Sequence, residues 1–153
     1  MTKTLTALSF TSLLLAGGAA CAADGMVSVP SKYSVAETMD RLEAAIRRAQ
    51  PPINVFARVD FQATAATQGG KLRPTQILIF GRGGTAAGLV PQHPRVAIDL
   101  PLKALAWEDE QGKSWLTYNT GEYLAQRHGV TGRDDFMKRV TDFTAGLVKS
   151  ATE

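Results

Sequence analysis

Apolar residues recur along this chain with two periods, and each change of period marks an element. Met26 to Pro30 alternates apolar and polar positions and predicts a short strand. Ser34-Val35-Ala36-Glu37 has the form of a capping box, in which the serine oxygen accepts a backbone N–H and the glutamate reaches back. Val35, Met39, Leu42 and Ile46 follow at spacings of four, three and four, one apolar stripe on a helix. Pro51 and Pro52 end it, because proline has no N–H to donate and restricts the residue before it.

Ile53 to Phe61 returns to a period of two. Ile53, Val55, Ala57, Val59 and Phe61 share one face of the predicted strand, and Asn54, Phe56, Arg58 and Asp60 share the other. A helical turn is expected over Ala63 to Thr67, closed by Gly69-Gly70, and a buried strand over Thr75 to Phe80. Val96 to Leu102 also alternates, with Val96, Ile98, Leu100 and Leu102 against Ala97, Asp99 and Lys103. Leu105 and Trp107 then hold the opposite parity, so a bulge or bend is expected between Pro101 and Ala104. Glu110-Gln111-Gly112 suits a hairpin loop with glycine in the left-handed position. That register sets Trp107 opposite Trp115 and Asp109 opposite Lys113.

Gly121 to His128 predicts a short helix stopped by Gly129. Thr131 is the expected cap of a last helix, with Asp134 and Asp135 in its first turn and Phe136, Val140, Phe143 and Leu147 as its buried stripe. Strands grouped after a single helix imply an α+β fold, with one largely antiparallel sheet of about four to six strands packed against helices.

Composition alters this picture mainly at the N-terminus. Lys3 is the only charge before Asp24, Leu5 to Ala16 is mostly apolar, and small residues follow up to Ala23. This is the pattern of a cleaved secretory signal peptide over residues 1–23, with a core too short to span a bilayer. A single domain over 24–153 remains, expected to be periplasmic or secreted. Cys21 is the sole cysteine, and Gly18 stands where a lipoprotein signal needs a large apolar residue, so lipid anchoring through Cys21 is the minor alternative. Cleavage after Ala22 or Ala23 would leave a mature chain without disulfide or thiol chemistry. The formal charge of +3 falls to +2 without Lys3, with 16 basic against 14 acidic residues, and the basic residues are scattered. A nucleic-acid partner would call for a clustered stripe, so none is expected.

The stretch from Gly81 to Gly88 invites comparison with a phosphate loop. Gly83 and Gly88 have the P-loop spacing, but Leu89 and Val90 stand where lysine and a hydroxyl belong. Pro91 and Pro94 leave room for no more than one or two turns of helix, against a dinucleotide fingerprint. The stretch reads as a connection, with a backbone anion nest assisted by Arg82 as the lesser reading. His93 and His128 have no second ligand at helical spacing, and no nucleophile elbow is present. No metal or cofactor is expected.

Asp60, Arg73, Asp99 and Lys103 form the candidate ligand-binding group. On neighbouring strands, these carboxylates and cations would converge on one side of the sheet. Arg73 and Lys103 would then meet a small polar or anionic ligand, with Asp60 and Asp99 orienting them. The rival readings are an enzyme with Asp60 or Asp99 as general base, and an ion-pair network with a structural role only.

Several ordered words extend the picture. They are Val29-Pro30-Ser31-Lys32, Ser34-Val35-Ala36-Glu37-Thr38, Phe56-Ala57-Arg58-Val59-Asp60, Leu72-Arg73-Pro74-Thr75 and Leu78-Ile79-Phe80-Gly81. Ala97-Ile98-Asp99-Leu100-Pro101-Leu102-Lys103-Ala104, Trp107-Glu108-Asp109 and Tyr123-Leu124-Ala125-Gln126-Arg127-His128-Gly129 complete the set. Together they resemble the family of domains of unknown function numbered 302, from about Val27 to Val130. The resemblance implies a small α+β domain, found alone or attached to other modules, without established activity. It also marks departures: Phe61 stands where the family often has His, Gln76 where it often has Glu, and Arg82-Gly83 where it often has Asn-Pro. Loss of a titrating His and Glu favours binding over catalysis. The expected function is thus an exported domain that binds a small ligand or partner, with an acid–base enzyme or a homodimeric accessory protein as alternatives.

Overall fold

The computed structural model describes residues 21–23 and 25–153, with the backbone alone for Cys21–Ala23. The signal peptide expected over residues 1–23 lies outside the described residues except for that short backbone segment. The elements in chain order are β1 (Cys21–Ala23), β2 (Met26–Pro30), α1 (Val35–Arg48), β3 (Asn54–Asp60), α2 (Phe61–Ala66) and β4 (Thr75–Gly81). There follow α3 (Gly83–Leu89), a 3-10 turn (Pro94–Ile98), β5 (Leu102–Glu108), β6 (Ser114–Asn119), α4 (Gly121–His128) and α5 (Asp134–Thr152). The strands form one open sheet in the order β1-β2-β6-β5-β4-β3, and every adjacent pair is antiparallel. The fold is α+β, as expected.

Helices α1 and α5 pack on one face of this sheet. Ser34 caps α1 by accepting the Glu37 N–H at 3.3 Å. The stripe Val35, Met39, Leu42 and Ile46 is 2% exposed or less. It meets Leu78 and Phe80 of β4, Ala104 and Ala106 of β5, Leu116 and Tyr118 of β6, and Leu147, Val148 and Ala151 of α5. Cross-strand partners share a face, so the pairings Leu78 with Ala104, Ala106 with Leu116 and Ala104 with Tyr118 hold these side chains together. Burying each large one contributes about 1.5–3 kcal/mol. Val59, Ile77, Ile79, Leu105, Trp107 and Trp115 are half-buried on the other face.

The hairpin register is the expected one. Trp107 pairs with Trp115, their rings stack with centroids 6.2 Å apart, and the Asp109 N–H donates to the Lys113 carbonyl at 2.9 Å. The Trp115 indole N–H donates to Asp109 at 2.7 Å. That bond, with the Lys113 backbone N–H next, holds the Asp109 carboxyl below the usual carboxylate range. Helix α4 ends as expected at Gly129, whose φ of 64° is the left-handed conformation that favours glycine.

Three expectations fail. The alternation in β3 is broken by a bulge at Phe56, where the register shifts between Val55 and Ala57. Beyond it Arg58 and Asp60 pair with Leu78 and Gln76 on the helix-covered face, and Ala57 and Val59 turn to the other. Arg58 reaches α1, pairing with Asp40 and donating to the Ala36 carbonyl. Val96 to Leu102 is not a strand. Pro94 opens a 3-10 turn in which Val96 donates to the His93 carbonyl and Asp99 to that of Val96. The parity change near Lys103 therefore marks the start of β5 at Leu102 rather than a bulge within a strand. Finally, α5 starts at Asp134 after Arg133, without the expected Thr131 cap. Its fully buried residues are Met137, Thr144, Leu147, Val148, Ala151 and Thr152. Of the expected stripe only Leu147 joins them, while Phe136, Val140 and Phe143 are half-buried.

Candidate functional site

The four residues expected to converge do not form one group: Asp99 and Lys103 meet at one place, and Asp60 lies at the other end of β4. Asp60 caps α2, accepting the Ala63 N–H at 2.9 Å, and takes a second bond from the Gln76 amide at 2.9 Å. Gln76 also accepts from Arg58 at 2.7 and 2.9 Å, so it links the two charged groups. Phe61 and Gln76, two departures from the resembled family, thus stand beside Asp60. Arg73 is exposed, and its side chain has no hydrogen bond or ion pair among the described residues.

Asp99 lies toward the other end of β4. There Leu102 pairs with Phe80, four positions from Gln76 along β4, or about 13 Å. Asp99 accepts from His128 Nε2 at 2.5 Å and faces Arg127 Nε at 3.4 Å. Lys103 donates to the backbone carbonyls of Asp99 and Pro101 at 3.2 and 3.3 Å. The side chains of Asp99 and His128 are 15% and 7% exposed. The convergence expected of Asp60, Arg73, Asp99 and Lys103 does not occur, because the stretch holding Asp99 is a turn and the two carboxylates belong to different ends of the sheet. Each of the two instead ties neighbouring elements together. Asp99→Asn is expected to lower stability by about 1–3 kcal/mol, since a half-buried charged hydrogen bond becomes a poorly matched neutral one. Thermal unfolding checks this, and an unchanged Tm would remove the structural role given to Asp99.

The concave site lies where β4 ends. Phe80 and Gly81 close the strand, and the chain turns through Arg82 and Gly83 into α3. The two-turn helix α3 fits the limit set by Pro91. Leu100, Pro101 and Leu102 form a second wall as the chain enters β5, and Ile53 and Phe56 flank it from β3 and the approach to it. The third wall is α5, where Phe136, Arg139, Val140 and Phe143 are spaced three, one and three apart and so share one helix face. Together they border a cavity of about 330 Å³ that is open to solvent on one side.

Its lining is apolar except for a hydroxyl at Thr85, backbone groups, and the guanidinium groups of Arg82 and Arg139. The lining holds no Asp, Glu, His, Lys, Cys or Tyr. The Arg82 guanidinium lies 5.7 Å from the centre of the Phe143 ring, and that of Arg139 lies 5.8 Å from the Phe136 ring. Neither arginine has an ion-pair partner among the described residues. Such a site has the means to hold an apolar molecule and to attract negative charge; it has no side chain suited to general-base work. No cluster of three or more His, Cys, Asp or Glu able to hold a metal occurs among the described residues. Sequence reading missed the cavity because Phe136, Val140 and Phe143 have the period of a core stripe. The signals available were an arginine beside that stripe, at Arg139, and the Gly81–Gly88 stretch with Arg82, whose lesser reading was an anion nest.

An open antiparallel sheet with its two long helices on one face, and a cavity at the strand ends, defines the class: a small α+β domain. The chain matches the model for "Domain of unknown function DUF302" over residues 27–147, and it belongs to that family. The crystal structure of the uncharacterized conserved protein DUF302 from Bacillus stearothermophilus superposes with a TM-score of 0.65. That likeness covers 85% of this chain and 97% of the other at 18% identity, and it shows the shared fold. Among curated proteins, the chain is 43% identical over 128 residues to the fluoride-specific ion channel FluC 1 of Brucella suis biovar 1 (strain 1330). It is likewise 43% identical over 128 residues to FluC 1 of Brucella abortus biovar 1 (strain 9-941). The matches cover 83% of this chain, and it spans about half the length of these relatives, 50% and 47%. No helix among the described residues is long and apolar enough to cross a membrane.

Proposed function

We propose that this domain is an exported binding module whose ligand is a small, largely apolar molecule held between α5, the start of α3 and the Leu100–Leu102 wall. Export rests on the basic, apolar and small-residue order of the first 23 residues. The observation that carries the binding reading is the cavity: about 330 Å³, walled by Phe80, Leu102, Val140 and Phe143. That size lies within the range of small-molecule sites, about 300–1,000 Å³. A lining without titratable acids or bases supports binding rather than chemistry.

The test uses N-phenyl-1-naphthylamine, a neutral apolar probe that brightens when it leaves water. The full chain is expected to bind it saturably at one site. Val140→Trp fills the cavity from α5 and is expected to weaken binding by about ten-fold or more, equivalent to about 1.4 kcal/mol. Ala86→Leu fills it from α3 and is expected to act in the same direction, which separates occlusion of the cavity from a local fault in either helix. Unchanged affinity in both folded variants would place the probe elsewhere and end this reading.

A second reading draws on the relatives. Two proteins named as fluoride-specific channels carry a matching segment over about half their length, and the described residues of this chain offer no membrane-spanning helix. On that reading the domain is an accessory that adjoins a channel and senses a ligand for it. Deleting the matching segment from a channel of this kind and measuring fluoride flux in liposomes tests it. Flux with unaltered rate and ligand response counts against an accessory role.

A further inference from the structure

We propose that the ligand of this cavity is an amphipathic organic anion: an apolar body with a carboxylate-type head that Arg82 and Arg139 receive. The proposal rests on the cavity being the binding place and adds the chemical class of what enters it. Guanidinium groups stay charged at any physiological pH. Two of them line a space that is otherwise apolar, and no carboxylate lines it with them. Arg139 is exposed and Arg82 half-buried, so both stay hydrated while the cavity is empty. Their attraction for an incoming anion comes from uncompensated positive charge beside apolar walls.

The arrangement also suits a planar head group. Each guanidinium lies near an aromatic ring, 5.7 Å from the centre for Arg82 on Phe143 and 5.8 Å for Arg139 on Phe136. A ring beside the guanidinium steadies a long side chain and makes no demand on its N–H donors. Those donors form a fork that matches two oxygens of a carboxylate. Neither arginine has a salt-bridge partner among the described residues, unlike Arg47, Arg58 and Arg127, which face Glu43, Asp40 and Asp99. Thr85 adds a hydroxyl to the same lining. The body of the ligand would lie along Leu100, Leu102, Val140 and Phe143.

Decanoate and 1-decanol carry the same chain and differ in charge, so displacement of N-phenyl-1-naphthylamine by each separates the two claims. Decanoate is expected to displace the probe at about ten-fold lower concentration than decanol. The double variant Arg82→Gln, Arg139→Gln is expected to abolish that preference, leaving decanol within about two-fold of its original affinity. Arg82→Lys, Arg139→Lys keeps charge but loses the fork, and an intermediate preference is expected. Equal binding of acid and alcohol to the original chain would overturn the anion proposal and leave the cavity reading standing. Probe binding with no displacement by either compound, or no probe binding at all, would overturn the cavity reading itself. A full preference for decanoate persisting in the folded double glutamine variant would show that other groups read the charge and would overturn the role given to the two arginines.

Discussion

Replacing Phe80 with alanine is expected to cost about 3–5 kcal/mol of folding stability, and to lower Tm by about 10–20 °C. The ring is 1% exposed and stands at a junction. On one side it belongs to the core formed by α1, α5 and the sheet, and on the other it lines the cavity. Truncation removes the transfer free energy of the ring and opens its volume toward an existing space. The walls on that side are held by separate elements, so little collapse can offset the loss. Urea unfolding reads the effect as a lower midpoint at unchanged slope. A loss below about 1 kcal/mol would mean that Phe80 is not the partition between core and cavity.

Gly121→Ala is expected to destabilise by about 3 kcal/mol, near the upper end for overpacking. A Cβ at Gly121 would lie 2.2 Å from the Met137 carbonyl oxygen and 2.8 Å from its carbon, backbone atoms of α5 that cannot step aside. The Gly121 N–H also donates to Thr141 Oγ1 at 2.7 Å, so moving α4 away would lengthen that bond. The sign makes the test sharp. Helix propensity alone favours alanine over glycine by about 1 kcal/mol. A neutral or stabilising result in thermal unfolding would therefore show that the two helices do not approach through their backbones here. Because α5 carries Phe136, Arg139, Val140 and Phe143, a shift at this contact is also expected to weaken probe binding in the cavity.

These cases show which features can be read along the chain. The α1 stripe, the Ser34 cap, the turn at Gly112 and the stop at Gly129 all depend on residues within a few positions of one another. Local chemistry was enough for each, and the tryptophan pairing followed from the loop length. The bulge at Phe56 was not read. Phe56 is the one apolar residue among the polar positions of Ile53 to Phe61, but an aromatic also suits a half-exposed strand face, and only pairing with β4 reveals the unmatched residue. That one step moved Arg58 and Asp60 to the opposite face from the one expected for an exposed or ligand-facing group. Val96 to Leu102 misled for a related reason. Val96, Leu100 and Leu102 avoid water in a turn as well as they would in a strand, and a period of two over a few residues does not separate the cases.

Helix α5 gives the clearest division. That a helix follows Asp134 and Asp135 was legible from the order of residues, whereas its start and its buried set differ from the Thr131 cap and the stripe that spacing suggested. Whether a buried-seeming residue meets the core or an empty space is a property of what stands opposite. Leu147 and Val148 are buried between α1 and the sheet, whereas Phe136, Val140 and Phe143 are half-buried and also line the cavity beside α3 and the Leu100–Leu102 segment. The α+β class, the hairpin and the family membership were therefore legible in the chain, being sums of local preferences. The cavity was decided by long-range packing, which brought Arg82 and Arg139 to its lining and held Asp60 and Asp99 apart, each bonded to neighbouring elements.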